Sequence, residues 1–303
     1  MNPHISVLLN ESIDNLNIKE DGIYVDCTLG FAGHSSQILK RIKKGKLFAF
    51  DQDGEAIEYS KKILGQINDN YEIINSNFVN IKEELNKRGI TKVDGILFDL
   101  GVSSVQLDEA DRGFSYHKDA KLDMRMNQNQ KLSAYEVVNE YDISDLIRIF
   151  YEYGEEKYSK SIATNIVKNR PIETTLELAE IIKMSVPEKY RRTSHPARKV
   201  FQAIRIEVNK ELDVFEKALN DSIDLLNEGG RLCVITFHSL EDRICKNIFK
   251  KESEVNKIYK GMPNIPDEYK PKLKLVKKIK PSNKELEENN RSRSAILRVA
   301  EKM

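Results

Sequence analysis

The sequence predicts an α/β protein: an open, mainly parallel sheet with crossover helices, split between its fourth and fifth strands by an all-helical insertion. Three observations carry this reading. Short apolar runs alternate with helix-length amphipathic stretches through the first hundred residues, the pattern of successive βα units. From Gln106 to about Asn209 only helical periodicity is present, with no strand candidate. A buried-type strand then returns at Leu232 to Phe237, and the α/β pattern resumes.

In chain order, the apolar runs Ile23 to Cys27, Lys46 to Phe50, Glu72 to Ile74 and Val93 to Asp99 are expected to be strands. Between them Ser35 to Ile42, Glu55 to Leu64 and Val79 to Lys87 space their apolar residues three and four apart, as crossover helices do. A loop-like stretch from Gly101 to Asn129 leads to helices at Ala134 to Val138, Ile143 to Tyr151, Lys157 to Lys168 and Leu176 to Met184. From His195 one long amphipathic stretch runs through Phe201, Ile204, Val208, Leu212, Phe215, Leu219 and Ile223 to Leu226 and stops at Gly229-Gly230. Leu273 to Ile279 and Ala295 to Ala300 read as an antiparallel pair finishing the sheet. The expected domains are therefore 1–105 and 210–303 for the α/β part and 106–209 for a helical, substrate-recognising insertion.

Composition excludes several classes. With 40% apolar and 32% charged residues over 303 positions, the chain has enough apolar material for a core and is no disordered tail. No run of 18 apolar residues occurs, and Glu11 and Asp14 interrupt the N-terminus where a signal peptide needs an apolar stretch, so a cytoplasmic protein without membrane contact is expected. Three cysteines, Cys27, Cys233 and Cys245, form no CxxC pair; disulfides and zinc ribbons are not expected, and no metal is. The net charge of +1 neither announces nor excludes an anionic partner, so local charge decides.

Cofactor signals lie at strand ends. The first strand runs through Asp26-Cys27-Thr28-Leu29-Gly30-Phe31-Ala32-Gly33-His34-Ser35 straight into a helix, where glycine lets a ligand approach the backbone and helix amides face it. Two glycines without GxGxxG are a weak signal alone. Twenty-one residues after Gly30 the second strand ends in Asp51, where an acid binds ribose hydroxyls; Phe78 follows the third strand and Asp99 ends the fourth. A nucleoside ligand follows. Dehydrogenases and methyltransferases share this layout. Phe31, Ala32 and His34 crowd the turn that a pyrophosphate would need, and two finishing strands replace a second mononucleotide half, which leans the reading toward S-adenosyl-L-methionine.

Eight segments then resemble one family: His4-Ile5-Ser6-Val7-Leu8-Leu9-Asn10-Glu11, Gly33-His34-Ser35, Asp94-Gly95-Ile96-Leu97-Phe98-Asp99-Leu100-Gly101-Val102-Ser103-Ser104-Val105-Gln106-Leu107, Arg112-Gly113-Phe114-Ser115, Leu122-Asp123-Met124-Arg125-Met126, Tyr153-Gly154-Glu155-Glu156, Phe201-Gln202-Ala203-Ile204-Arg205 and Phe237-His238-Ser239-Leu240-Glu241-Asp242-Arg243. Together they resemble the bacterial 16S rRNA cytosine-N4 methyltransferase family (RsmH/MraW). The resemblance implies a class I, Rossmann-like S-adenosylmethionine-dependent methyltransferase that modifies a decoding-region cytidine of 16S rRNA, within the small ribosomal subunit. It places the cofactor against Ala32, Gly33, His34, Asp51, Phe78, Asp99 and Gln106. One departure is visible: the family's Gly-Gly-His reads Ala32-Gly33-His34 here, and alanine at that position needs no unusual dihedral as long as φ is negative.

The proton acceptor is not assigned by sequence. No Asn-Pro-Pro-Tyr-like motif follows strand four. His238, after strand five, is the catalytic candidate; its plain alternative is a backbone-bonded residue beside a Ser239/Asp242 capping box. His34 is offered for the methionine carboxylate, against a half-exposed first-turn position, and His195 is read as structural. Aromatic residues at Phe150, Tyr151, Tyr153 and Tyr158 are read as core. The loop carrying Arg112-Gly113-Phe114 and Asp123-Met124-Arg125-Met126 is expected to wall the acceptor pocket. Between Arg243 and Lys280 stand twelve Lys or Arg against four Asp or Glu, and Lys189, Arg191, Arg192, Arg198 and Lys199 form a second basic cluster; both are read as phosphate contacts. Competing readings are a methyltransferase for another RNA or DNA amine, a dinucleotide-dependent oxidoreductase, and a non-catalytic nucleic-acid-binding protein.

Overall fold

A computed structural model describes residues 6–102, 110–192, 195–255, 257–259, 261 and 263–303. The chain divides into two compact units, Met1–Gly101 with Leu212–Met303, and Val102–Glu211.

The first unit is the α/β part. Its strands are β1 (Ile23–Asp26), β2 (Lys46–Asp51), β3 (Tyr71–Asn75), β4 (Val93–Asp99), β5 (Leu226–Thr236), β6 (Leu273–Ile279) and β7 (Ile296–Lys302), in the spatial order β3-β2-β1-β4-β5-β7-β6. The first five pair in parallel, and β7 runs antiparallel to both β5 and β6, which is the finishing pair expected from sequence. Helices α1 (Leu9–Asn15), α2 (Gly33–Arg41), α3 (Gly54–Leu64) and α4 (Ile81–Lys87) alternate with the early strands. Both faces of the sheet are covered, which is why its strands read as continuous apolar runs. One face buries Val25, Phe48, Phe50, Ile96, Phe98 and Val234; the other buries Ala49, Leu97, Cys233, Ile235 and Val299. All three cysteines are buried in these layers.

The second unit is helical: α5 (Ala134–Glu140), α6 (Ile143–Glu152), α7 (Ser159–Lys168), α8 (Thr175–Met184), α9 (Glu188–Arg191) and α10 (Ala197–Asn209). Its core gathers Leu146, Ile149, Phe150, Ile162, Ile166, Leu178, Ile182, Val200 and Ile204. Phe150 belongs to that core as expected, whereas Tyr151 is exposed. Capping boxes at Ser133 with Glu136 and at Thr174 with Glu177 start α5 and α8, satisfying amides that would otherwise lack partners.

The long amphipathic stretch is two helices, not one. Lys210 takes φ 50 and ends α10, and α11 then runs from Glu211 to Leu225. Apolar spacing cannot report such a break because the stripe continues across it. Nor does α11 reach Gly229-Gly230: β5 already begins at Leu226, and both glycines lie inside the strand, beside its register shift against β4. Among the described residues no helix is long and apolar enough to cross a membrane.

The turn from β1 into α2 corrects a second expectation. Ala32, the residue preceding α2, has φ 60 and ψ 24, so the condition of a negative φ is not met. Its methyl group is wholly buried in a left-handed conformation that suits glycine. Gly33 is constrained differently: a Cβ there would stand 1.8 Å from Ser6 Oγ. Neighbouring substitutions should therefore act in opposite directions. Ala32→Gly is expected to stabilise the protein by about 1 kcal/mol by removing the strain, while Gly33→Ala should destabilise it by about 1 to 3 kcal/mol through overpacking. Urea titrations of both variants test this; a loss of stability in Ala32→Gly would mean that its buried methyl outweighs the strained dihedral.

Candidate active site

Parallel pairing brings the carboxyl ends of β1 to β5 to one edge of the sheet. The loop after β1 is organised by Asp26, a buried carboxylate that accepts bonds from the Thr28 amide (3.0 Å) and Ser35 Oγ (2.7 Å). Burial pushes the Asp26 carboxyl above the usual range, and these donors oppose that shift. Thr28 Oγ1 accepts the Asp99 amide at 2.7 Å, so the β1 loop is tied to the end of β4. Ser60 Oγ of α3 donates to the Gly30 carbonyl at 2.8 Å.

Asp51 ends β2. Its two oxygens accept the amides of Gly30 and Asp53, each at 2.9 Å, and burial raises its carboxyl to about 6 despite those bonds. A carboxylate offers about four lone pairs, so each oxygen retains room for a further donor. Beside it, Gly30 has φ 49, and a side chain there would find only the Thr28 carbonyl, at 3.9 Å. Asp53 caps α3 by accepting the Glu55 amide at 3.1 Å. Phe78 starts a one-turn helix, Phe78–Asn80, after β3 and packs edge-on against Phe98 with ring centres 5.6 Å apart. It is half-buried and packs against the core of this face.

Asp99 ends β4. Its Oδ2 lies 3.6 Å from His34 Nδ1, and its Oδ1 is buried without a hydrogen-bond partner among the described residues. Burial first, and the nearby Asp26 and Glu241 carboxylates second, push its carboxyl well above the usual range. His34, in the first turn of α2, is buried, not half-exposed. Gln106 lies outside the described residues.

His238 precedes α12 (Ser239–Ser253), and the capping box here joins His238 with Glu241, not Ser239 with Asp242. Glu241 accepts the amides of Phe237 (2.8 Å) and His238 (3.3 Å), and its Oε1 lies 3.0 Å from His238 Nε2. Asp242 is engaged elsewhere, in a two-bond pair with Arg298 of β7 at 2.7 and 2.9 Å. His195 Nδ1 accepts the Ala197 amide at 3.3 Å and its ring stacks on Tyr116.

Within the helical unit, the arginines of the loop expected to wall a pocket bond the loop itself. Arg112 is buried and donates to the carbonyls of Arg125 (3.1 Å) and Met126 (3.4 Å). Arg125 is paired through two bonds with Asp123, at 2.9 and 2.7 Å. These arginines brace the loop. Thr28, Ser35, Glu241 and Ser6 have no role legible in the sequence, because each acts through a backbone amide, a buried side-chain bond or a close approach that only the fold creates. The Asp26-x-Thr28 spacing, in which an acid can bond an amide two residues on, is the one local signal that was available.

The sequence profile of the MraW methylase family matches residues 1–303. The chain is 58% identical over 306 residues to the ribosomal RNA small subunit methyltransferase H of Exiguobacterium sibiricum, covering 99% of this chain and 98% of that protein. Among solved structures, an rRNA methylase from Streptococcus thermophilus is similar over 99% of both chains, at 13% identity and TM-score 0.47. A putative methyltransferase from Streptococcus mutans in complex with SAH is similar over the same shares, at 13% identity and TM-score 0.46. The chain belongs to the MraW methylase family, S-adenosylmethionine-dependent methyltransferases.

Proposed function

We propose that this protein methylates the exocyclic N4 of a decoding-region cytidine in 16S ribosomal RNA, within the small ribosomal subunit. The observation that carries the cofactor half is the corner formed by Asp51 and Gly30, a half-buried carboxylate with acceptor capacity left beside bare backbone. An adenosyl group fits there: Asp51 takes the ribose hydroxyls, Phe78 the adenine face, and the turn through Ala32, Gly33 and His34 the methionine end, with Gln106 completing the set. Asp99 closes the row at β4. When bound, S-adenosylmethionine supplies a methyl group on a sulfonium, already activated for transfer. The substrate half is supported by the small-subunit rRNA methyltransferase relative and by the motif resemblance. The helical unit is assigned to substrate recognition. Cytosine's amine is a poor nucleophile, so its alignment and the removal of its proton are what the protein must provide.

The reaction is tested by incubating labelled S-adenosylmethionine with small subunits from cells lacking this protein and identifying the product by mass spectrometry. N4-methylcytidine is expected; any other labelled nucleoside overturns the assignment.

Asp51 gives a pH prediction. Its folded pKa, about 6, lies above the ordinary 3.8, so its contribution to the free protein's stability is present below pH 4 and lost as pH rises through 6. Cofactor binding runs the other way, since ribose hydroxyls prefer the charged carboxylate. Affinity for S-adenosylmethionine should fall by up to tenfold per pH unit below 6, and Asp51→Asn should flatten that dependence. Asp51→Ala should weaken binding by about 1 to 3 kcal/mol at pH 7.5. Calorimetry across pH 5 to 8 measures both; parent-like affinity in a folded Asp51→Ala would remove this residue from the site.

The basic edge gives another. Lys274, Lys277 and Lys278 are exposed on β6, the edge strand, where lysines also guard against strand pairing. Neutralising all three should leave cofactor affinity intact and lower the salt slope of subunit binding by roughly one unit per lost phosphate contact. An unchanged slope would leave them with the protective role alone.

A further inference from the structure

We infer that Glu285 is a positioning residue for the cofactor: its carboxylate clasps the Leu8 amide and so holds Ser6 against the turn that takes the methionine end of S-adenosylmethionine. This rests on the proposed placement of that cofactor. Glu285 lies in a short helix, α13 (Asn283–Glu288), that comes before β7. Its Oε1 accepts the Leu8 amide at 2.7 Å, joining segments 277 residues apart. Leu8 precedes α1, is wholly buried and takes φ 50. A left-handed leucine is kept only by its surroundings. Two residues earlier, Ser6 Oγ stands 1.8 Å from where a Cβ of Gly33 would be, so the serine fills the space that the glycine leaves. Val7 and Leu8 share an apolar layer with Leu29 and Ala32, and the Ala32 amide donates to the Leu29 carbonyl at 2.9 Å to close the turn. One side of the cofactor turn is therefore built by Ser6, Val7 and Leu8.

Glu285 is itself fixed from both sides. Ser282 Oγ accepts its amide at 3.2 Å, and its carbonyl accepts the Asn289 amide at 2.7 Å. Beyond that, the buried Ser292 donates its hydroxyl to the Asn289 carbonyl at 2.7 Å, and Ala295 enters the apolar layer of Val7 and Leu8. The clasp thus hangs on the chain that enters β7. Removing the carboxylate leaves the N–H of a wholly buried residue without its acceptor, a loss large enough to pull the segment toward water. That shift carries Ser6 with it. Gly33 then loses the side chain packed on it, and Ala32, at φ 60, loses part of the layer that holds its left-handed backbone. Gly30 is held separately, by Asp51 and by Ser60, so the effect falls on the methionine end and spares the adenosine corner. Burial raises the Glu285 carboxyl against the pull of the Leu8 amide, and the neighbouring Glu11 adds to the rise. What Leu8 requires is therefore an acceptor oxygen more than a charge.

The test uses the full-length protein with Glu285→Ala, Glu285→Gln and Glu285→Asp. Melting temperature is measured together with calorimetric affinity for S-adenosylmethionine and for 5′-methylthioadenosine, which keeps the adenosine and a thioether but lacks the amino-acid end. Glu285→Ala should weaken S-adenosylmethionine by about tenfold or more, the scale of one lost bond to a charged group, and 5′-methylthioadenosine by less than about threefold. Glu285→Gln should bring S-adenosylmethionine to within about threefold of parent affinity, because its amide oxygen still accepts from Leu8. Glu285→Asp, one methylene shorter, should fall between the two, and it replaces the alanine variant if that one does not fold. Parent-like affinity for S-adenosylmethionine with only a lowered melting temperature makes the clasp purely structural and overturns the inference. An equal loss for both ligands, or no rescue by glutamine, overturns it too. A parent protein that binds 5′-methylthioadenosine as tightly as S-adenosylmethionine would instead overturn the placement of the methionine end at this turn, and the inference with it.

Discussion

A carboxylate sealed from water without a cation beside it must be satisfied by donors, and the α/β unit is built around one that is. Asp26 uses both oxygens on Thr28 and Ser35. These bonds bend the chain out of β1 and aim it into α2, while Thr28 reaches across to the amide of Asp99. The carboxyl ends of β1 and β4 therefore hold a common geometry, and the glycines, Asp51 and His34 are placed by it. Loss of that carboxylate would leave a hydroxyl and an amide without partners inside the sheet edge, a larger penalty than the loss of one bond.

The same edge carries features that stability alone would discard. Ala32 is held at positive φ, and Asp99 keeps an oxygen without a donor among the described residues. Each departs from the rule that a folded chain satisfies its buried polar groups and avoids left-handed backbone at residues with side chains, and such departures concentrate where a ligand completes the structure. The helical unit shows the contrast: its buried Glu156 accepts the Tyr190 hydroxyl at 2.7 Å and the Tyr158 amide at 2.8 Å, so its polar interior is satisfied from within.

Most strands and the helical insertion are legible in the sequence because period and length are physical consequences of being covered on two faces or on one. Strand ends are legible too: Asp51 and Asp99 announce themselves as acids closing apolar runs. What periodicity hides is backbone conformation. The apolar stripe from Phe201 to Leu226 continues through Lys210, whose left-handed φ turns one expected helix into two, and Gly229-Gly230 reads as a helix stop although β5 has begun. Site details fail for a related reason. Glu241, three residues after His238, fits a capping box as well as Asp242 does after Ser239, and only the Arg298 partner on a distant strand decides between them.

That partner choice bears on where the chemistry resides. Histidine is the residue first sought as a proton acceptor, because its ordinary pKa lies near neutrality. His238 has its amide bonded to Glu241 and its Nε2 3.0 Å from Glu241 Oε1, an arrangement that starts α12, while both ring nitrogens are buried without a hydrogen-bond partner among the described residues. An acceptor must have an unsatisfied lone pair facing the place where a donor arrives. Among the strand-end acids, Asp26 has its oxygens bonded to its own loop and Asp51 to two amides; Asp99 Oδ1 alone among these three lacks a described partner. The residue that sequence reasoning favours for proton transfer thus also serves as a helix cap, and the acid with an oxygen left open lies at the end of β4.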